Sequence, residues 1–209
     1  FMQYRKTEFG VFEHLPQKNV DFGGGLERLT AATNSEPDIF KNDLHFPIIK
    51  RLEEELNSRY GEDEKVTQTM RVIADHVKAA VFLTDAGVLP SNKGRGYVLR
   101  RLLRRSAVKA GQLEGGSMNK IVDLVSEVFG IYQGTDLLDS SSQDLIHGAI
   151  KEEIGKFQNT LEKGLREIEK IQTIDGKIAF DLYQTYGFPL EITTELFEEK
   201  GQKIDRKQF

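Results

Sequence analysis

The sequence contains no cysteine in its 209 residues, which excludes disulfide bonds and any zinc site built on thiolates. Histidine is also scarce, and the four that occur lack the spacing of metal ligands. We therefore predict that the chain binds no metal of its own. The absence of cysteine suits a reducing compartment, and we expect a cytoplasmic location.

Long apolar runs are missing too, so the sequence predicts neither a membrane-spanning helix nor a signal peptide. The first residue is Phe1 rather than a methionine, and we interpret the chain as a piece of a longer protein. Its length is sufficient for one large domain or two small ones with a real core. The formal net charge is −4, so any basic region is a local feature.

Acidic residues are absent between Asp85 and Glu114, although the chain as a whole is acidic. Residues 90–105 begin with turn-forming residues and continue as a predicted helix that ends near Gly111. On a helical wheel its apolar side chains fall in one sector and four arginines in the opposite sector. We expect an unneutralised cationic strip that favours a polyphosphate partner, a solvated helix face being the alternative. Its basic residues are Lys93, Arg95, Arg100, Arg101, Arg104, Arg105 and Lys109.

The N-terminal segment combines short β-like stretches with a glycine turn. Residues 1–4 and 10–12 are aromatic and partly alternating, which predicts strands. Three consecutive glycines at positions 23–25 precede a predicted helix that runs to about Thr33. Free backbone N–H groups at such a helix start favour an anion, and a plain glycine-rich turn is the alternative.

From Ser35 onward, apolar residues recur every three or four positions, which predicts a helical bundle. Gly187 is expected to be a left-handed helix cap, and Pro189 is expected to begin the last helix. The fold class is therefore mainly α, with a short β segment at the N-terminus. The predicted helices of the bundle span residues 44–60, 64–84, 96–111, 118–129, 141–171, 178–186 and 190–200.

Several blocks of the sequence resemble one protein family. Residues 18–21, the glycine turn and residues 26–28 resemble motif three of the class II aminoacyl-tRNA synthetases. The particular residues at these positions resemble those of alanyl-tRNA synthetases. Residues 71–76, 85–105 and 182–189 resemble the tRNA-recognition domain of that family, in the same order and with similar spacing. The resemblance covers nearly the whole chain.

The resemblance implies a division of labour within the chain. Residues 1–34 would form the C-terminal edge of the class II catalytic domain, a remnant of its antiparallel sheet. Residues 35–209 would form the helical tRNA-recognition domain. The parent enzyme would be an alanine–tRNA ligase that uses ATP with Mg²⁺. Its partners would be the acceptor stem of alanine tRNA, alanine, ATP and the remainder of the synthetase, with no membrane.

The resemblance also implies roles in the amino-acid and ATP sites. Asp21 would hold the ammonium group of alanine, and Gly23 would line the pocket for its small side chain. Gly25 and Arg28 would contact ATP. The family's motifs one and two do not occur in this sequence, so the chain alone is expected to be inactive as a ligase.

For tRNA, the resemblance implies two residues that read the G·U pair of the acceptor stem. Asn92 occupies the position of the first. The second is an aspartate in the family, whereas this sequence has Gln184, which keeps an acceptor oxygen but loses the charge. The basic residues from Lys93 to Arg105 would lie along the stem phosphates, where they position the RNA rather than specify its sequence.

Two other functions are compatible with the same residues. One is a stand-alone, non-catalytic RNA-binding module derived from a synthetase, in which motif three is a relic. The other is a helical scaffold without a ligand, which leaves the arginines unexplained. The gene sequence upstream of Phe1 would distinguish a fragment from a stand-alone module.

Overall fold

The computed structural model describes residues 3–17, 23–198 and 200–205. The chain forms two compact units, one covering residues 1–42 and the other residues 43–209. The predicted fold class is confirmed, because the structure is mostly helical with one two-stranded antiparallel sheet near the N-terminus. The predicted assignment of residues 1–34 and 35–209 to two domains of the family stays a prediction.

The described part of the N-terminal unit contains a hairpin, one α-helix and a single turn of 3-10 helix at Ile39–Lys41. Strand β1 (Tyr4–Lys6) pairs antiparallel with β2 (Phe12–His14), with Tyr4 opposite His14. Both strands lie about two residues later than the sequence pattern predicts. Helix α1 (Leu26–Thr33) follows the glycine turn, and the side-chain amide of Asn42 donates to the carbonyl of Glu27 at 3.1 Å.

The second unit is a bundle of seven α-helices among the described residues. Helix α3 packs against α2, α4, α5 and α6 and so occupies its centre. Apolar side chains of α3 recur every three or four residues, and Met70, Ile73 and Ala80 are fully buried. The helices are α2 (Phe46–Glu55), α3 (Glu64–Asp85), α4 (Gly94–Gln112), α5 (Lys120–Ile131), α6 (Gln143–Lys170), α7 (Gly176–Tyr186) and α8 (Leu190–Glu198).

Two glycines allow the turn between α7 and α8 to pack closely against α6. One lies in the turn and the other on α6. The predicted left-handed cap is confirmed, because Gly187 follows α7 with a φ of 70°. Gly164 on α6 faces this turn, and a Cβ at that position would lie 2.3 Å from the ring of Phe188. The turn therefore approaches α6 more closely than a side chain at residue 164 would allow.

Membrane-spanning and metal-binding features are not found in the part of the chain that the structure describes. No helix there is long and apolar enough to cross a lipid bilayer. Likewise, no group of three or more histidine, aspartate or glutamate side chains within the described ranges is arranged to hold a metal ion.

Candidate nucleic-acid interface

A cavity of about 380 Å³ lies among α4, α6, α7 and the turn that follows α7. Asn92, from the loop before α4, and Gln184, from the last turn of α7, both line it although they are far apart in sequence. Both residues are exposed. The other lining residues are Tyr97, Arg100, Arg101, Arg104, Lys156, Thr160, Tyr183, Thr185, Tyr186, Gly187 and Pro189.

The loop that carries Asn92 folds back over the first turn of α4. The backbone N–H of Ser91 donates to the carbonyl of Gly96 at 3.1 Å, and the Ser91 hydroxyl donates to the carbonyl of Lys93 at 3.0 Å. Gly96 is buried, and a Cβ there would lie 2.4 Å from the carbonyl oxygen of Leu89. Only glycine allows the loop to cross the helix this closely.

The side-chain amide of Asn92 has a defined orientation. Its oxygen Oδ1 accepts a hydrogen bond from Nη1 of Arg100. Because a guanidinium group can only donate, the amide must turn its oxygen toward Arg100. The amide nitrogen Nδ2, a donor, is left for a ligand. By contrast, the side chain of Gln184 forms no hydrogen bond with the residues that the structure describes.

The prediction of an unneutralised cationic strip on α4 is wrong. Five cationic side chains of this helix share three glutamates supplied by α6 and α8. Attraction to these carboxylates offsets much of the mutual repulsion of the arginines without any added anion, although five cations share only three carboxylates. The pairs are Arg100 and Arg104 with Glu153, Arg101 with Glu191, and Arg105 and Lys109 with Glu195.

Arg104 is the most enclosed of the four arginines, with 14% of its side chain exposed. It donates from Nε to Glu153 Oε1 at 2.9 Å and from Nη1 to the carbonyl of Gly187 at 2.9 Å. Its guanidinium group also lies 4.8 Å from the ring centre of Phe157. Burial lowers the pKa of Arg104, and the carboxylate of Glu153 opposes that shift. Arg104 thus links α4 to α6 and to the end of α7.

No local pattern in the sequence pairs these glutamates with α4, because they belong to helices far along the chain. The position of Glu153 in the sequence nevertheless indicates that it needs a cationic partner. It lies within the apolar stripe of α6, between Ile150 and Phe157, and only 5% of its side chain is exposed. A carboxylate on the buried face of a helix needs a cationic partner, and the nearest arginine-rich helix supplies it.

The cations at the N-terminal end of α4 and on the facing wall of the cavity are more accessible. Lys93 and Arg95 are exposed, and neither forms an ion pair with any residue in the described ranges. Lys156, on the cavity wall, is exposed and pairs with Glu152 one turn away on α6. Such an exposed pair contributes little and is readily exchanged for another anion.

Two tyrosines form an aromatic wall of the cavity. The rings of Tyr97 and Tyr183 meet edge to face with their centres 6.2 Å apart. Burial raises the pKa of Tyr97, and a hydrogen bond with Tyr183 raises it further. The Tyr97 hydroxyl is therefore neutral at physiological pH and can serve as a hydrogen-bond donor or acceptor.

A comparison with known proteins supplies the family. The family model for class II (A) tRNA synthetases matches residues 1–209. This chain belongs to the class II tRNA synthetases. It is 42% identical to the alanine–tRNA ligases of Fusobacterium nucleatum and Thermotoga maritima and 40% identical to that of Pediococcus pentosaceus, each over the full chain. The chain spans about a quarter of the length of these relatives, and the resemblance to alanyl-tRNA synthetases is confirmed.

The predicted motif three residues of this class II chain are only partly within the described ranges. Asp21 lies outside them. Gly25 is the residue before α1, and Arg28 lies exposed on the first turn of that helix. A Cβ at Gly23 would meet no described atom within 4 Å, and its role toward alanine stays a prediction.

Proposed function

We propose that this chain provides the acceptor-stem recognition surface of an alanyl-tRNA synthetase and reads the G·U pair through Asn92 and Gln184. The observation that supports this proposal most directly is their presence on one cavity, although they belong to separate elements. A base pair inserted between the loop before α4 and the end of α7 would meet both amides. The proposal therefore rests on the side chains at this cavity rather than on the charge of α4.

The chemistry of the two amides suits a wobble pair. A G·U pair leaves the guanine amino group without a partner in the minor groove, where it can donate. The amide oxygen of Gln184 is an acceptor for that group, although a neutral acceptor is roughly half as strong as a carboxylate. Asn92 presents a donor, since Arg100 occupies its oxygen. The pair of residues thus offers one donor and one acceptor to base edges.

The phosphate contacts of the proposed interface differ from those that the sequence suggested. Lys93 and Arg95 are exposed and unpaired within the described ranges, and Arg101 keeps 41% of its side chain exposed beside the cavity. These three would neutralise the stem backbone. The more enclosed arginines, among them Arg104, would hold the wall against which the stem docks.

The parent reaction in this proposal is the joining of alanine to its tRNA with ATP and Mg²⁺. The N-terminal unit would contribute motif three, with Asp21 and Gly23 toward alanine and Gly25 and Arg28 toward ATP. Charge stabilisation at the reacting phosphate needs groups beyond Arg28. We therefore expect the chain alone to bind the acceptor stem without activating alanine.

The test is a binding competition between two acceptor-stem minihelices that differ only in G·U versus G·C at the recognised pair. We expect Asn92→Ala to reduce the preference for G·U about fivefold, because a misread pair costs ~1–3 kcal/mol. Gln184→Asp should increase the preference, since a charged acceptor replaces a neutral one. Asn57→Ala, an exposed amide that does not line the cavity, is the control.

Asn92→Ala should lower the G·U to G·C binding ratio, and Gln184→Asp should raise it. Opposite changes in one ratio distinguish an effect on recognition from an effect on folding. A variant that only perturbs the fold would weaken binding to both minihelices equally. If Asn92→Ala keeps the wild-type ratio and Gln184→Asp fails to raise it, the proposed roles of both residues are wrong.

A further inference from the structure

The two sides of the cavity share one buried carboxylate. Oxygen Oε1 of Glu153 lies 3.2 Å from Nε of Arg100 and 2.9 Å from Nε of Arg104. Nη2 of Arg104 lies 2.8 Å from the same oxygen. Glu153 itself is buried on α6, a helix that contributes neither of the proposed readers.

Each arginine connects Glu153 to a different reader. Arg100 donates to the side-chain oxygen of Asn92 and thereby fixes which way the amide points. Arg104 donates to the carbonyl of Gly187, the residue that caps α7. The backbone N–H of Gly187 in turn donates to the carbonyl of Tyr183 at 2.9 Å, in the same last turn that carries Gln184.

We propose that Glu153 is a positioning residue of the recognition site, which orients Asn92 through Arg100 and holds the end of α7 through Arg104. This inference rests on the proposed function, because it explains how two readers on separate elements keep a fixed spacing. One carboxylate oxygen, which accepts a hydrogen bond from Arg104 and forms an ion pair with Nε of Arg100, ties the two sides of the cavity to a common point on α6.

Stability alone does not account for this arrangement. A buried ion pair is weak support for a fold, since its desolvation offsets much of its attraction and apolar residues often replace it without loss. Charged hydrogen bonds also restrict the orientation of the groups they join, because a guanidinium group must keep its planar geometry to satisfy its acceptors. Here the oriented groups are the side-chain amide of Asn92 and the end of α7 at Gly187, and both line the same cavity.

Glu195 provides a matched comparison on the other side of α4. It also holds two cations of that helix, with Arg105 at 3.2 Å and Lys109 at 2.7 Å. Neither cation lines the cavity or contacts Asn92 or Gly187 among the described residues. Glu195→Gln therefore makes the same chemical change as Glu153→Gln without touching either reader.

The experiment combines two readouts on the whole chain. The first is the G·U to G·C binding ratio with the two minihelices, which we expect Glu153→Gln to lower about fivefold and Glu195→Gln to leave unchanged. In an Asn92→Ala, Gln184→Ala background, Glu153→Gln should have no further effect on the ratio. The second is the ¹H–¹⁵N spectrum, in which Glu153→Gln should shift the side-chain amide of Asn92 and the backbone amide of Gly187.

The outcomes separate this inference from the proposed function. If both amide signals shift but the wild type does not prefer G·U, Glu153 positions the cavity and the proposed function is wrong. If the signals stay in place, or if the ratio is unchanged while the wild type discriminates, Glu153 is not a positioning residue. An equal loss of ratio in Glu195→Gln would also overturn the inference, because a general charge effect would explain it.

A second variant covers the case in which Glu153→Gln does not fold. Arg100→Lys keeps the charge and leaves the pair between Arg104 and Glu153 intact. A single ammonium group, however, cannot reproduce both the ion pair of the planar guanidinium group with Glu153 and its hydrogen bond to Asn92. We expect the Asn92 amide signal to shift and the binding ratio to fall. A wild-type signal and ratio in Arg100→Lys would exclude the path through Arg100.

Discussion

The basic residues around α4 fall into two groups that differ in their partners. Arg100, Arg104 and Arg105 lie against glutamates and have less than a third of their side chains exposed. Lys93 and Arg95, only a few residues earlier, are exposed and unpaired within the described ranges. Cations that are neighbours in sequence thus differ in their surroundings: Arg100, Arg104 and Arg105 fasten α4 to α6 and α8, whereas Lys93 and Arg95 remain accessible.

The difference shows that a run of one charge sign does not by itself give a surface of that sign. The potential at a helix face depends on the acids that tertiary packing brings to it, as well as on the residues of the helix. A guanidinium group that is buried against a carboxylate has already lost most of its hydration. Binding a phosphate would require this guanidinium group to give up its carboxylate partner. An exposed lysine can bind a phosphate without losing such a partner.

The largest effect is expected from removal of Arg104, the most enclosed of the four arginines. Arg104→Met deletes the charge but keeps an apolar side chain over Phe157. We expect the free energy of unfolding to fall by about 3 kcal/mol, because one member of a buried ion pair is removed and the carbonyl of Gly187 loses its donor. Urea denaturation followed by circular dichroism measures the change.

Arg101→Met is the control for this prediction. Its pair with Glu191 is longer, at 3.4 Å, and 41% of its side chain is exposed. An exposed pair contributes about 0–1 kcal/mol, so this variant should unfold nearly as the wild type does. Equal destabilisation by both substitutions would show that burial does not distinguish the arginines of α4.

A second prediction concerns Gly96, where the loop that carries Asn92 and Lys93 crosses the first turn of α4. Gly96→Ala would push a Cβ into the carbonyl of Leu89, so the loop that carries Asn92 and Lys93 must move off α4. We expect the free energy of unfolding to fall by about 2 kcal/mol, as for other overpacked buried sites. The hydrogen bond from Ser91 to Gly96 should weaken, which amide hydrogen exchange at Ser91 would detect.

Gly148→Ala is the matched control on α6. A Cβ at Gly148 would meet no described atom within 4 Å, and the residue is exposed inside a helix. Alanine there should raise the free energy of unfolding by roughly 0.5–1 kcal/mol through its better helix propensity. A loss of stability at both positions would refute the steric explanation for Gly96.

Much of the fold could be predicted from the sequence, because local signals decide it. Periodic apolar residues indicated the helices, and the need for a left-handed residue after α7 identified Gly187 as its cap. The approach of Asn92 and Gln184 to one cavity was expected only through the family resemblance. No local rule brings a loop before α4 and the end of α7 together.

The ion pairs on α4 could not be predicted in the same way. They depend on which faces of α6 and α8 pack against α4, and these pairs join residues 49 and 90 positions apart. The burial of Glu153 among apolar residues indicated that a cation must face it, but not which one. Its connection to both Asn92 and Gly187 becomes visible only in three dimensions.

The last prediction concerns Lys93 and Arg95, the two exposed cations at the start of α4. Lys93→Ala with Arg95→Ala should weaken minihelix binding about tenfold, to G·U and G·C stems alike, since phosphate contacts carry no sequence information. The dependence of binding on salt should also fall by about one unit for each phosphate that the variant no longer neutralises. A salt titration by fluorescence anisotropy measures both effects.

The matched control removes two lysines that have the same exposure but lie elsewhere. Lys151 and Lys163 are exposed on α6, do not line the cavity and pair with no described acid. Their double alanine variant changes the net charge equally, so a general electrostatic attraction would weaken binding to the same degree. We expect the salt slope of this control to match the wild type. If it falls as far as that of the Lys93 and Arg95 variant, these two residues are not the phosphate contacts.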